Sequence, residues 1–126
     1  MIELYHKTSF GISRLITRAY STSFSLGILG LEKKYRGPIY NIYGFVRLAD
    51  EIVDSFHGYE EKILLKRFWK ETRLSIKEGI SVNPVLHSFQ HTVNKYKIDE
   101  SLIETFLTSM EMELEDRQYE QEDYDK

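Results

Sequence analysis

The sequence predicts an all-α protein, and three observations carry that expectation. Apolar residues recur at three- and four-residue steps along nearly the whole chain, which is the period of a helix face. No stretch alternates apolar and polar residues between hairpin turns, as a half-buried strand would. The 126 residues include only two prolines and seven glycines, so obligatory breaks are few. The length suits one domain. A content of 41% hydrophobic and 13% aromatic residues is enough for a packed core and excludes global disorder. The absence of cysteine excludes disulfide scaffolds, thiolate zinc sites and cysteine nucleophiles.

The helices follow in order. The first is expected from Thr8 or Ser9 to Tyr20, with Phe10, Ile12, Leu15, Ile16 and Ala19 inward and Thr8 or Ser9 as cap. Ser21-Thr22-Ser23-Phe24-Ser25 then interrupts it, because hydroxyl side chains compete for backbone hydrogen bonds, and Gly27 and Gly30 extend the break. A second helix begins near Gly37-Pro38, where proline suits the first turn. It runs through Asp54 to about Phe56 and ends at His57-Gly58. A third spans about Glu60 to Lys77 and stops at Gly79, with Ile63, Leu64, Phe68, Leu74 and Ile76 inward and Trp69 beside them. Asn83-Pro84 starts a fourth, to about Lys95, with Val85, Leu86, Phe89 and Val93 inward. Asp99 caps a fifth, to about Leu114, with Leu102, Ile103, Phe106, Leu107, Met110 and Leu114 inward.

Net charge is −3 but unevenly placed: residues 111–126 carry eight acids and two bases, the remainder 12 acids and 15 bases. A basic body with an acidic end suggests an anionic ligand. It does not suggest nucleic acid, since no dense Lys/Arg stripe with interleaved aromatics occurs. The N-terminus has no signal-peptide core. The longest apolar run, at residues 26–31, is far short of the roughly 20 residues that span a bilayer. A cytoplasmic location follows as the expectation, with peripheral attachment to a membrane face left open. The four histidines, His6, His57, His87 and His91, form no convincing zinc set; His87 and His91 are four apart without an evident third ligand, which favours surface or boundary positions.

The segment with the most chemistry is Tyr43 to Asp54. Asp50 and Asp54 are four apart and lie on one helix face, with Arg47 and Tyr43 continuing the stripe. Two carboxylates one turn apart suit a magnesium–diphosphate site, because Mg²⁺ takes one or two carboxylates and fills its octahedron with water and phosphate oxygens. Arginine adds a planar fork matched to phosphate. The same spacing also fits an amphipathic helix with a solvated charged face. An Arg47–Asp50 or Arg47–Asp54 pair would then be worth about 0.3–0.5 kcal/mol.

From about residue 8 onward the chain resembles the squalene/phytoene synthases, and its bacterial phytoene synthase branch most. The resemblance rests on Ser21-Thr22-Ser23-Phe24, on Tyr43, Arg47, Asp50, Glu51 and Asp54 in their order and spacing, and on a weaker third region, Met110-Glu111-Met112-Glu113-Leu114 with Tyr119. It implies the N-terminal helices of the class I isoprenoid (terpenoid) synthase fold. It also implies head-to-head condensation of two prenyl diphosphates, geranylgeranyl or farnesyl, to phytoene or squalene. By that likeness Asp50 and Asp54 hold Mg²⁺ (or Mn²⁺) and act in catalysis with Tyr43, which borders the reacting carbons. Ser21, Ser23, Phe24 and Arg47 bind substrate, Phe24 along the prenyl cavity and Arg47 on the diphosphate. NADPH enters only if a squalene-type product is made. Taken alone, Ser21 and Ser23 could equally cap the following turn, Phe24 and Tyr43 could be core aromatics, and Lys33, Lys34 and Arg36 could be solvated charges.

The chain departs from the pattern at Tyr20, where a polar residue is usual, at Glu113 in place of aspartate, and at Gln118, with Arg117 one place before it. Family members are roughly twice this length or more, and their second aspartate motif would follow Lys126. Residues 1–126 are therefore expected to be part of one synthase domain, its N-terminal half, with 111–126 leading to the rest. Alone the piece is expected to be inactive, and to self-associate or swap helices through exposed apolar faces. The alternatives are a non-catalytic helical interaction module with a solvated stripe, and a hydrolase or assembly factor on the same fold.

Overall fold

A computed structural model places the described residues in six helices: α1 (Ile2–Tyr20), α2 (Thr22–Ile28), α3 (Lys33–Ser55), α4 (Glu61–Glu78), α5 (Pro84–Tyr96) and α6 (Glu100–Asp125). The structure describes residues 1–125, and side chains through residue 120. No strand occurs among the described residues. Helix α3 is the hub and packs against α1, α4, α5 and α6. Its Phe45 lies at the centre of the core, stacked on Phe89 at 3.8 Å between ring centroids and on Phe68 at 5.4 Å.

Helix α1 starts about two turns earlier than its sequence signals suggest. Contacts across the fold select the early start: the Tyr5 hydroxyl donates to the Ser81 carbonyl, and His6 meets His87. Its buried residues are Ser9, Ser13 and Thr17, while Leu15 is 66% exposed and Ala19 faces solvent. The apolar set expected inward is thus only partly so, and a hydroxyl stripe takes its place. Small side chains let α1 approach α3 closely. A Cβ on Gly44 would stand 3.0 Å from the Ser13 Cβ and 3.2 Å from its Cα. Ser13 cannot yield easily, because its Oγ is buried 2.6 Å from the Ser88 Oγ of α5. Mid-helix glycine costs about 1 kcal/mol against alanine, and close packing offsets that cost here. Gly44→Leu is therefore expected to lower unfolding free energy by about 2–3 kcal/mol, the upper range for overpacking, as read from urea denaturation.

The serine-rich break is a single residue. Ser21 ends α1 and caps α2, its Oγ accepting from the Phe24 N–H at 3.0 Å. Helix α3 begins four residues before Gly37, at Lys33, with Pro38 inside it. Arg36 is engaged by the connection before α3: its Nε donates to the Leu31 carbonyl and its Nη2 to the Leu29 carbonyl. Helix α4 buries Leu65, Phe68 and Ile76, whereas Ile63 and Leu74 are exposed. Gly79 closes it at φ 71°, a left-handed cap that suits glycine.

Helix α5 matches its expectation. Asn83 Oδ1 accepts from the N–H groups of Val85 and Leu86, and Val85, Leu86, Phe89 and Val93 are all buried. Asp99 likewise accepts from the Ser101 N–H before α6. Along α6, Ile103, Leu107, Met110 and Leu114 are buried and Leu102 is exposed. The helix does not stop at Leu114 but continues to Asp125. The acidic segment is thus a continuation of α6, although the side chains of Glu122, Asp123 and Asp125, and all of Lys126, lie outside the described residues. Helix α6 is fixed to α4 by Glu104, which accepts from the Trp69 indole and from both Nε and Nη2 of Arg73.

Candidate functional site

Helix α3 carries Tyr43, Arg47, Asp50 and Asp54 along about 16 Å of its axis at 1.5 Å per residue. None of the four is fully exposed and none fully buried. At one end, Phe24 of α2 stacks on Tyr43 with ring centroids 4.5 Å apart. The Ser21 cap starts α2 against α1, and Phe24 in its first turn reaches Tyr43. Ser21 thus has a structural task, and Ser23 is exposed on α2. The two aromatics expected near the prenyl chain are in contact.

In the middle, Arg47 does not pair with either aspartate. Its Nη2 donates to Glu51 at 2.7 Å, and its guanidinium lies over the Tyr20 ring at 4.2 Å from the centroid. Tyr20, a departure from the family pattern, is therefore a platform for the arginine, a cation–π arrangement. Arg47 and Glu51 are only 21% and 22% exposed, so this part of the stripe is not a freely solvated face.

At the other end, Asp54 meets a partner from another helix. Arg117 of α6 places Nη1 2.6 Å from Asp54 Oδ1 and Nη2 3.0 Å from Glu113. Neither Arg117 nor Glu113 was a site candidate by sequence pattern. The signal was present as the shifted arginine before Tyr119, but only the fold brings it to α3. Burial holds the Asp50 carboxyl above the usual aspartate range, and the charge of Asp54 pushes the same way; Arg47 and Arg117 oppose them.

Oxygen donors on one face, with one carboxylate strained by the charge of the other, fit a hard divalent cation, which would relieve that repulsion. Asp54 Oδ1 is shut off from solvent, with Arg117 Nη1 2.6 Å away in the place that a cation would take. Among the described residues no group of three or more His, Asp or Glu side chains closes around an ion. Asp50 and Asp54 therefore offer part of a coordination shell.

One histidine differs from expectation, while His91 lies at a boundary as expected. His87 is 0% exposed, not at the surface or a boundary. His6 Nδ1 lies 2.8 Å from His87 Nε2, and the His6 and His91 rings are 5.2 Å apart. His57 is apart from them, beside Glu61.

A helical fold built on such a stripe, with an aromatic shelf at one end and paired carboxylates at the other, defines a protein of the all-α terpenoid synthase-like class. The squalene/phytoene synthase family model matches residues 17–126, and the chain belongs to that family. A phytoene synthase of Arthrospira platensis is 26% identical over 111 residues, covering 88% of this chain and 36% of that protein. The chain thus spans about a third of the length of the curated relative it matches. No solved structure matches it significantly. No helix among the described residues is long and apolar enough to cross a membrane.

Proposed function

We propose that residues 1–126 are the N-terminal part of a synthase that joins two prenyl diphosphates head to head, with geranylgeranyl diphosphate as substrate and phytoene as product. The observation that carries this reading is the α3 stripe, with a stacked Phe24–Tyr43 shelf at one end and the Asp50/Asp54 pair at the other. An amphiphile with an apolar chain and a diphosphate head needs that division. Family membership and the phytoene synthase relative support the substrate class.

Asp50 and Asp54 would hold Mg²⁺, which supplies charge neutralisation for the departing pyrophosphate. Arg47, kept in place by Tyr20 and Glu51, offers its guanidinium to the same anion. Phe24 and Tyr43 present ring faces to the allylic cation left behind and help to exclude water. The second substrate's double bond attacks that cation and a proton is lost, giving a cyclopropylcarbinyl diphosphate; this ionises with loss of the second pyrophosphate, rearranges, and sheds another proton to give the hydrocarbon. A phytoene product requires no reductant, so NADPH has no place in this scheme.

The remainder of the domain would supply the second aspartate motif and cover apolar side chains such as Leu15, Leu26 and Leu29, which are exposed here. The test is product analysis. Full-length protein with geranylgeranyl diphosphate and Mg²⁺ is expected to release pyrophosphate and form a coupled C40 hydrocarbon, while residues 1–126 alone form none and self-associate in light scattering. Failure of the full-length protein to couple either geranylgeranyl or farnesyl diphosphate would overturn the reading.

A further inference from the structure

We infer that Arg117 is the resident counter-cation of the aspartate pair, and that an entering metal ion displaces it onto the diphosphate. The inference rests on the metal–diphosphate reading of Asp50 and Asp54. Without metal, the charge of Asp54 is answered from α6 by Arg117 Nη1 at 2.6 Å. Arg47, although on the same face of α3, is committed to Glu51 at 2.7 Å. A divalent ion seeking Asp54 Oδ1 must therefore compete with a guanidinium already in contact with that oxygen.

The competition is one the ion can win. Arg117 covers Oδ1 itself, but the Asp54 and Arg117 side chains are 38% and 39% exposed, and part-exposed ion pairs are weak. Displacement does not send Arg117 away, because Glu113, one turn earlier on α6, holds its Nη2 at 3.0 Å. The released guanidinium stays at the rim of the carboxylate pair, and its planar fork suits the oxygens of a diphosphate held there. Arg117 thus blocks the site before loading and closes on the anion after it.

In full-length protein, Arg117→Gln is expected to bind Mn²⁺ alone about two- to fivefold more tightly, read by electron paramagnetic resonance, because the competing cation is gone. At saturating Mg²⁺ the same variant is expected to bind inorganic pyrophosphate about tenfold more weakly in calorimetric titration, the loss of a charge-assisted contact. A merely structural arginine predicts the opposite sign for Mn²⁺, since a loosened α6 would weaken binding. Unchanged or weaker Mn²⁺ binding by the folded variant therefore overturns the inference. Arg117→Lys keeps the charge and carries the test should the glutamine variant not fold. It is expected to bind Mn²⁺ as wild type does and pyrophosphate several-fold more weakly, and wild-type pyrophosphate affinity would overturn the hand-over. Asp54→Asn separates the two levels: if it binds Mn²⁺ like wild type, the metal reading itself falls, and with it the role of Arg117.

Discussion

Replacing Asp50 with asparagine in the full-length protein is expected to cut turnover by about 10²–10³-fold, the loss typical of a group that stabilises developing charge, while leaving the melting temperature unchanged or higher. The two effects have one cause. Burial and the neighbouring Asp54 hold the Asp50 carboxyl above its usual range, so its ionised form is less favoured in the fold than in the unfolded chain. Folding gains nothing from a charge there. Asparagine keeps the shape and removes the repulsion. A residue that costs stability and is required for activity is a site residue rather than a strut. Asp54→Asn should differ: it also cuts turnover, but it breaks the contact with Arg117 and lowers the melting temperature slightly. Steady-state kinetics with a prenyl diphosphate and thermal scanning on both variants would check this. A marked fall in melting temperature for Asp50→Asn, or near-normal turnover, would count against the assignment.

The all-α class was legible because apolar period and sparse breakers act locally, and five of the six helices were anticipated. Helix α2 was not, because a run of serine and threonine argues against helix by propensity alone. The Ser21 cap and packing on α1 decide the matter. The inward face of α1 was misread for a related reason. Periodicity weighs apolar residues, whereas close helix approach selects small ones, so Ser9, Ser13 and Thr17 are buried and Leu15 is not.

Within the site, the α3 stripe was readable from i, i+4 spacing, and the Phe24–Tyr43 contact fits the family resemblance. Charge pairing was not readable. Arg47 selects Glu51 because Tyr20 fixes its guanidinium, and Asp54 selects Arg117 from a helix more than sixty positions away. Such choices are tertiary, and a single sequence carries no direct trace of them. The buried His87 belongs to the same class, since His6 and His87 are far apart in the chain and meet only when α1 lies on α5.

Acidification is expected to loosen that α1–α5 contact. His87 Nδ1 faces the Ser81 N–H, which donates to it at 3.3 Å. The ring proton must then sit on Nε2, which donates to His6 Nδ1. A second proton on His87 would set two N–H groups against each other at Ser81. Burial therefore holds His87 below its ordinary value of 6.5, and His6 and His91 add to the effect. His91 is lowered in the same way, by burial, His6 and Lys95. The Tyr5 ring of α1 lies tilted against His87 with centroids 4.4 Å apart, and Glu3 at the start of α1 feels the charge of His6. The sign follows from proton counting. As pH falls below 6.5 the unfolded chain takes up protons at these rings and the folded chain does not, so stability drops with falling pH. Between pH 7.5 and 5.5 the melting temperature should therefore fall. His87→Gln should lower it at pH 7.5, because the Ser81 N–H and His6 lose their partner at about 1–3 kcal/mol, yet it should flatten the pH dependence. A flat wild-type profile, or an undiminished slope in His87→Gln, would show that the rings are not kept neutral by the fold.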